Sequence, residues 1–229
     1  MAKRLIIILI FLLFSSYIYS SGEPTILNIK TLVLKNNNIV KNGMQTIYKN
    51  GTVIYAKGPM KNSKLHGIWK VYFGNSKKVF IEGAFFNSMK NGIWKEYYPS
   101  GNLYKKIPFR KDKITGMTQI FYKNGVPHYS ITYRNSKKHG RFSEYYPEGR
   151  PKEISYYKNG IKNGRINLFY PCGTQKIFGN YKNGKKHGVW SFYSKKGKLE
   201  KRGSFKKGKK VGIWKFYDNK GKFKEERKA

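Results

Sequence analysis

The residues able to do chemistry are few in this 229-residue chain, and they recur at fixed intervals. Three of the four histidines, His66, His139 and His187, each stand immediately before a glycine, in LHG, KHG and KHG. Imidazoles sharing a register along one edge would be metal-ligand candidates. His139 and His187, however, are separated by two copies of the unit that organises the chain. In a sheet that is four strands, ~19 Å, beyond common ligation. They read as turn residues, and no metal is expected. Glu96 and Glu144 hold equivalent positions two units apart, too far for the ~5–9.5 Å between paired glycosidase carboxylates. Glu225 and Glu226 fall in the tail, and Asp112 and Asp218, the only aspartates, read as turn residues, so no catalytic triad emerges. Cys172 takes the turn position held elsewhere by Ser100, Asn124, Glu148 and Lys196. With no second cysteine there is no internal disulfide, and the alternative to a plain turn residue is an intermolecular bridge. No glycine-rich phosphate loop with its lysine is present. The sequence points to no catalytic residues and no cofactor.

Lysine is the stronger lead. Lys plus Arg number 48 against 11 acidic residues, a formal charge of +37. The lysines gather in one turn of each unit: Lys111 and Lys113, Lys137 and Lys138, Lys158 and Lys162, Lys185 and Lys186, then Lys206, Lys207, Lys209 and Lys210. Stacked in register, these turns form one basic edge suited to a long polyanion through counterion release. The plainer reading is a solvated face, since turns take polar residues anyway.

Stepping outward to the elements that must position these residues, self-similarity organises the chain. HGIWKVYF, NGIWKEYYPSGNL, HGRFSEYYPEGR, HGVWSFYSKKGKL and VGIWKFYDNKGKF are variants of one phrase. Eight anchor glycines, Gly43, Gly67, Gly92, Gly116, Gly140, Gly164, Gly188 and Gly212, are spaced by 24 residues with a single interval of 25. Five residues after each anchor comes an aromatic: Tyr48, Tyr72, Tyr97, Phe121, Tyr145, Phe169, Tyr193 and Tyr217. Two after it come Trp69, Trp94, Phe142, Ile166, Trp190 and Trp214, with Gln45 and Thr118 breaking the column. These two columns are the expected repeat core.

Each unit reads as two short strands joined by a glycine-containing turn, with a second turn such as YKNGKKHG leading to the next anchor. Glycine recurs too often for helix. A lone hairpin cannot bury its rings, so the hairpins must stack. The fold class expected is all-β, an elongated single-sheet ribbon or solenoid of about eight antiparallel hairpins over residues 43–229. Sixteen strands at ~4.7 Å give a ribbon on the order of 75 Å long. One question stays open at this level. The +2 and +5 rings have opposite parity, so either a bulge intervenes or both faces are partly covered.

Residues 1–21 have the pattern of a signal peptide: Lys3 and Arg4, an apolar run from Leu5 to Phe14, then Ser15, Ser16, Ser20 and Ser21. Ten apolar residues fall short of the ~20 of a spanning helix, and an uncleaved N-terminal anchor is the alternative. Export to the periplasm, outer surface or medium is expected. Residues 22–42, with ILNI and TLVL, are expected to cap the first hairpin, and the tail KFKEERKA to blunt the last edge.

The phrase G-x-W-x-x-Y-x-x-x-G-x-L, then an aromatic and N-G-x-x-x-G, appears here as GIWKEYYPSGNL from Gly92 and YKNGKKHGVWSFYSKKGKL from Tyr181. It resembles the MORN repeat in its bacterial variant form, and is similar to the family of YwqK-type antitoxins. The resemblance covers residues 43–229 and implies a hairpin-repeat fold. For function it implies attachment to membranes or proteins. A phosphatidylinositol phosphate kinase activity, sometimes associated with such repeats, finds no room here, because every residue from Gly43 on belongs to a repeat. The function expected is a non-enzymatic exported scaffold that binds a protein, a membrane surface or an acidic glycan of the cell envelope. The alternative is an antitoxin or immunity-type protein acting by direct binding. Nucleic acid is favoured by charge and rings but disfavoured by the signal peptide.

Overall fold

The computed structural model describes residues 39–49, 52–74 and 76–229. Residues 1–21, read as a signal peptide, and most of the 22–42 stretch expected as a cap lie outside the described residues. Ile39 and Val40, at the end of that cap, pack against the first core cluster.

The described residues form one antiparallel sheet in which each strand pairs with the next along the chain. Nineteen strand segments are present. In three units the first strand is broken in two at the anchor glycine, so the segments group into the eight hairpins expected. Every anchor has a positive φ, between 62° and 113°. There the first strand bulges against its preceding neighbour, as between Glu82 and Ala84 or Ile131 and Tyr133. A side chain would strain that conformation, which is why glycine holds the position.

Two turn types alternate. From the third unit on, the first turn is a three-residue loop. Tyr98 N donates to Asn102 O at 2.8 Å and Gly101 N to Tyr98 O at 2.8 Å, with Gly101 left-handed. That is a type I turn followed by a left-handed glycine. The second unit's loop is one residue longer, closing from Phe73 N to Lys78 O, and this accounts for the single interval of 25. The second turn has two residues, both with positive φ: Asn62-Ser63, Asn87-Ser88, Lys111-Asp112, Asn135-Ser136, Asn159-Gly160, Asn183-Gly184 and Lys207-Gly208. These are type I′ turns, whose twist matches that of the strands they join.

The parity question resolves through a second bulge. Pairing shifts between +4 and +5 in all eight hairpins, as between Glu96 and Tyr97, where Glu96 faces Lys105 but Tyr97 faces Leu103. The extra residue lies on the second strand, so +2 and +5 keep opposite faces. Tyr97 accordingly donates to Glu82 on the face away from Trp94. The +2 column is interior: Trp69 and Trp94 are fully buried, and Trp190 and Trp214 nearly so. The +5 column, assigned to the core from sequence, lies on the other face, half-buried from Tyr72 to Tyr217 and open at Tyr48.

Each tryptophan sits in a box. At Gly58, Gly83, Gly179 and Gly203 an added Cβ would overlap the indole of Trp69, Trp94, Trp190 and Trp214 respectively. The glycine is therefore a floor on which the ring lies flat. Walls come from neighbouring rings at right angles: Tyr181 and Phe205 stand 5.3 and 5.7 Å from Trp190, near-perpendicular geometries that aromatic pairs favour. For three of the four a lysine forms the lid, with Lys90 Nζ 5.4 Å from the Trp94 ring centre, Lys186 Nζ 4.7 Å from that of Trp190 and Lys210 Nζ 4.8 Å from that of Trp214, while Leu65 holds the position before Trp69. Where the +2 residue is smaller the floor is larger. Ile107 precedes Thr118 by eleven residues, Ile131 precedes Phe142, and Ser155 precedes Ile166, as glycine precedes each tryptophan. A bulkier floor thus accompanies each loss of the indole, as close packing favours.

Candidate functional site

The two turn types give the ribbon two chemically different long edges. Along the type I′ edge, the second turn residue donates its backbone N–H to the unit before: Ser63 to Lys41 O, Ser88 to Leu65 O, Asp112 to Lys90 O, Ser136 to Ile114 O, Gly160 to Lys138 O, Gly184 to Lys162 O and Gly208 to Lys186 O, all at 2.7–3.0 Å. These bonds fix the turns in one continuous row. The twelve lysines picked out from sequence lie along it, but they divide. Lys111, Lys113, Lys137, Lys158, Lys185, Lys206, Lys207 and Lys209 are exposed at the edge. Lys138, Lys162 and Lys186 are half-buried, turned in over the aromatic face, and Lys210, though exposed, also reaches over a ring. Burial and the neighbouring Lys162 charge lower the Lys138 ammonium from its ordinary value. Burial also acts to lower Lys162, but its 2.7 Å bond to Glu153 outweighs this and leaves it raised.

The opposite edge carries the three-residue loops. Here the second bulge has a purpose visible in its side chains: its extra residue is swung against the ring at +6, an effect bulges are known for. Tyr104 packs on Tyr98 at 4.9 Å and His128 on Tyr122 at 4.3 Å, while Lys152 and Lys176 sit over Tyr146 and Tyr170. Each of these tyrosines donates its hydroxyl to a carbonyl of the next unit: Tyr98 to Phe121 O, Tyr122 to Tyr145 O, Tyr146 to Phe169 O and Tyr170 to Tyr193 O, at 2.8–2.9 Å. In the last two units Ser194 and Asp218 replace the ring, and a shallow groove opens between them and Glu200.

The structure also brings together residues that the sequence kept apart. Glu144 and Glu153 face each other across one hairpin. Glu144 accepts from Lys152 at 2.8 Å, with His128 Nε2 3.9 Å away. Glu153 accepts from Ser155 and Lys162, both at 2.7 Å. Burial holds His128 below the ordinary imidazole range, opposed by Glu144. Each carboxylate is ion-paired with a lysine, so the cluster is a neutralised polar patch and not an acid–base pair with a free partner. Sequence alone does not pair them, because the second-strand bulge sets the register in which +4 meets a residue nine later.

Elsewhere, Glu96 is mostly buried, 12% exposed, beside Lys105 at 3.7 Å. Burial pushes its carboxyl above the ordinary value against the pull of Lys105 and Lys90. Tyr97 is pushed up to about 12 by burial and by its bond to Glu82. Cys172 is exposed in its turn, its thiol lowered by hydrogen bonds with Thr174. On the face opposite the tryptophans, Met44, Ile68, Ile93 and Met117 form an exposed apolar stripe at position +1, broken by Arg141 and Arg165 and resumed by Val189 and Ile213. Among the described residues no group of three potential metal ligands converges.

Residues 90–111, 138–159 and 186–207 match the MORN repeat variant, one stretch in each of three units and each running from the lysine lid through the two strands and loop to the next type I′ turn. No curated protein matches the chain in sequence.

Proposed function

We propose that this chain, three stretches of which match the MORN repeat variant, is an exported, non-enzymatic binding scaffold that offers its lysine edge to an anionic component of the cell envelope. The observation that carries the reading is the row of inter-unit backbone bonds along the type I′ turns, which holds eight exposed lysines on one edge. Regularly spaced point charges on a rigid edge suit a long polyanion, and neutralising it releases counterions, so binding falls as salt rises. The signal-like pattern at residues 1–21 supports export and the envelope as the setting. The non-enzymatic part rests on the ion-paired state of the polar clusters. A protein partner, including a toxin neutralised by direct binding, is the second reading, and the apolar +1 stripe from Met44 to Met117 favours it.

The test is binding of the chain to anionic and to neutral vesicles across a salt series, with Lys137, Lys185, Lys206 and Lys209 changed together to Gln. Those four are chosen because they are exposed and lid no ring. Strong binding to the anionic vesicles that declines with salt and is lost in the variant is the expected result. Salt-insensitive binding, or binding that the variant retains, moves the interaction to the apolar stripe.

A further inference from the structure

We infer that the loop edge is a second binding site, a row of aromatic platforms for an extended β-1,4-linked glycan. Four consecutive units place a tyrosine there, Tyr98, Tyr122, Tyr146 and Tyr170, all half-buried with part of each ring open. Each is pinned at both ends. Its hydroxyl is tied to the next unit's backbone, and its ring rests against the residue delivered by the bulge, Tyr104, His128, Lys152 or Lys176. A platform held this way loses little freedom when a ligand stacks on it.

Spacing identifies the ligand. Successive tyrosines are two strands apart, about 9.4–9.8 Å, close to the advance of one disaccharide in an extended β-1,4-linked chain. Every second sugar then presents its apolar face to a ring. Strand twist turns successive platforms by roughly 45°, which small changes in the glycosidic torsions follow.

Charge separates this edge from the other. The four loops, YPSGN, YKNGV, YPEGR and YPCGT, contain only Lys123, Glu148 and Arg150 as charged residues. A single-stranded nucleic acid also stacks on aromatic rings, but it draws its affinity from a positively charged groove. The cations beside these rings are few and engaged, Lys78 and Arg150 on loop carbonyls, Lys152 on Glu144 and Lys176 over Tyr170. The sugar faces of a neutral or lightly charged glycan are the better match. The inference stands apart from the lysine edge and survives its failure, because it uses none of those lysines.

The test is calorimetric titration of the chain with β-1,4-linked N-acetylglucosamine oligomers of increasing length, with oligothymidylate alongside. Affinity should climb with each added disaccharide until four platforms are filled, and should hardly change with salt. Tyr122→Ala and Tyr146→Ala should each weaken the longest oligomer about tenfold, the order of loss when an aromatic platform is removed. Tyr146→Phe keeps the ring and should retain most of the binding, which separates loss of stacking from loss of folding. The lysine variant with four Gln substitutions should bind the oligomers unchanged. Absence of oligomer binding, affinity flat with length, or preferential salt-sensitive binding of oligothymidylate overturns the proposal.

Discussion

The two edges of the ribbon are made by the same repeat and differ because their turns differ. A type I′ turn has two residues, and the bulge in its hairpin falls at the anchor glycine, which has no side chain to swing out. Units along this edge are joined by the backbone bonds of the turns, helped by short side chains such as Ser88, Asp112 and Ser136 that accept from the unit before, and long side chains on either flank are left free to project. The three-residue loop comes with a bulge that turns one side chain out of the strand's alternation and against the +6 ring. There the units are joined by side chain to backbone, through tyrosine hydroxyls. Chemistry follows geometry: one edge collects charge, and the other collects rings in the four units from Tyr98 to Tyr170. Four tests break or sharpen this contrast.

The largest effect belongs to what the edges share, the tryptophan boxes between them. Gly203→Ala puts a methyl into the Trp214 indole, and overpacking of this kind costs about 3 kcal/mol at its upper range. Trp214→Ile costs a comparable amount by emptying the box, about 3 kcal/mol. The chain already pairs a larger floor with a smaller, non-aromatic residue, Ser155 with Ile166. The double variant should therefore be less destabilised than the two single variants summed, as urea denaturation would show. Strict additivity would mean that floor and ring are not packed against each other.

Tyr146→Phe comes next. It removes the bond to Phe169 O and should cost about 1 kcal/mol, read as a lower thermal midpoint. On the other edge the side-chain bonds, with Ser88 Oγ, Asp112 Oδ1 and Ser136 Oγ accepting from the unit before, are each doubled by a backbone bond from the same turn, so deleting one of them should cost less. A null result would make the tyrosine row incidental to cohesion between units.

Glu96→Gln tests the buried carboxyl near the loop edge. Its raised value means that the folded chain keeps this proton after the unfolded chain, at its ordinary 4.5, has lost it. Between those two values the folded state binds more protons, so stability falls as pH rises through the window. The Gln variant should have a higher midpoint than the parent at neutral pH, with the gain shrinking towards pH 4. A pH-independent difference would assign the effect to packing.

Much of this was legible in the sequence because it depends on period. The anchors, the turns and the hairpin count follow from glycine spacing, and the buried +2 column from its tryptophans. The +5 column misled, because eight aromatics in register look like a core until strand parity sends them to the other face. The second bulge could not be read, since the residues it displaces, from Tyr104 to Lys176, share no chemical type. The glycine floors could have been. Glycine stands eleven residues before every tryptophan and nowhere else in that column from Gly58 on, a size correlation that a search for identical residues passes over. The pairing of Glu144 with Glu153 stayed hidden for the same reason as the bulge, because register depends on it.

The smallest effect is expected where the charge is greatest. Lys137, Lys185, Lys206 and Lys209 make no ion pair or ring contact that the fold depends on, and all four are exposed. Changing them to Gln should move stability by less than about 0.5 kcal/mol, as exposed substitutions usually do, or raise it slightly by easing repulsion in a chain of charge +37. Lys186→Gln is the internal contrast, because that ammonium lies over Trp190 and Phe205 at 4.7 and 5.0 Å. Removing one such lid should cost about 1 kcal/mol, more than the four edge lysines together. Thermal melts of the two variants decide the point. If the edge quadruple variant is the less stable, the lysines hold the fold and the case for a free binding edge falls with them.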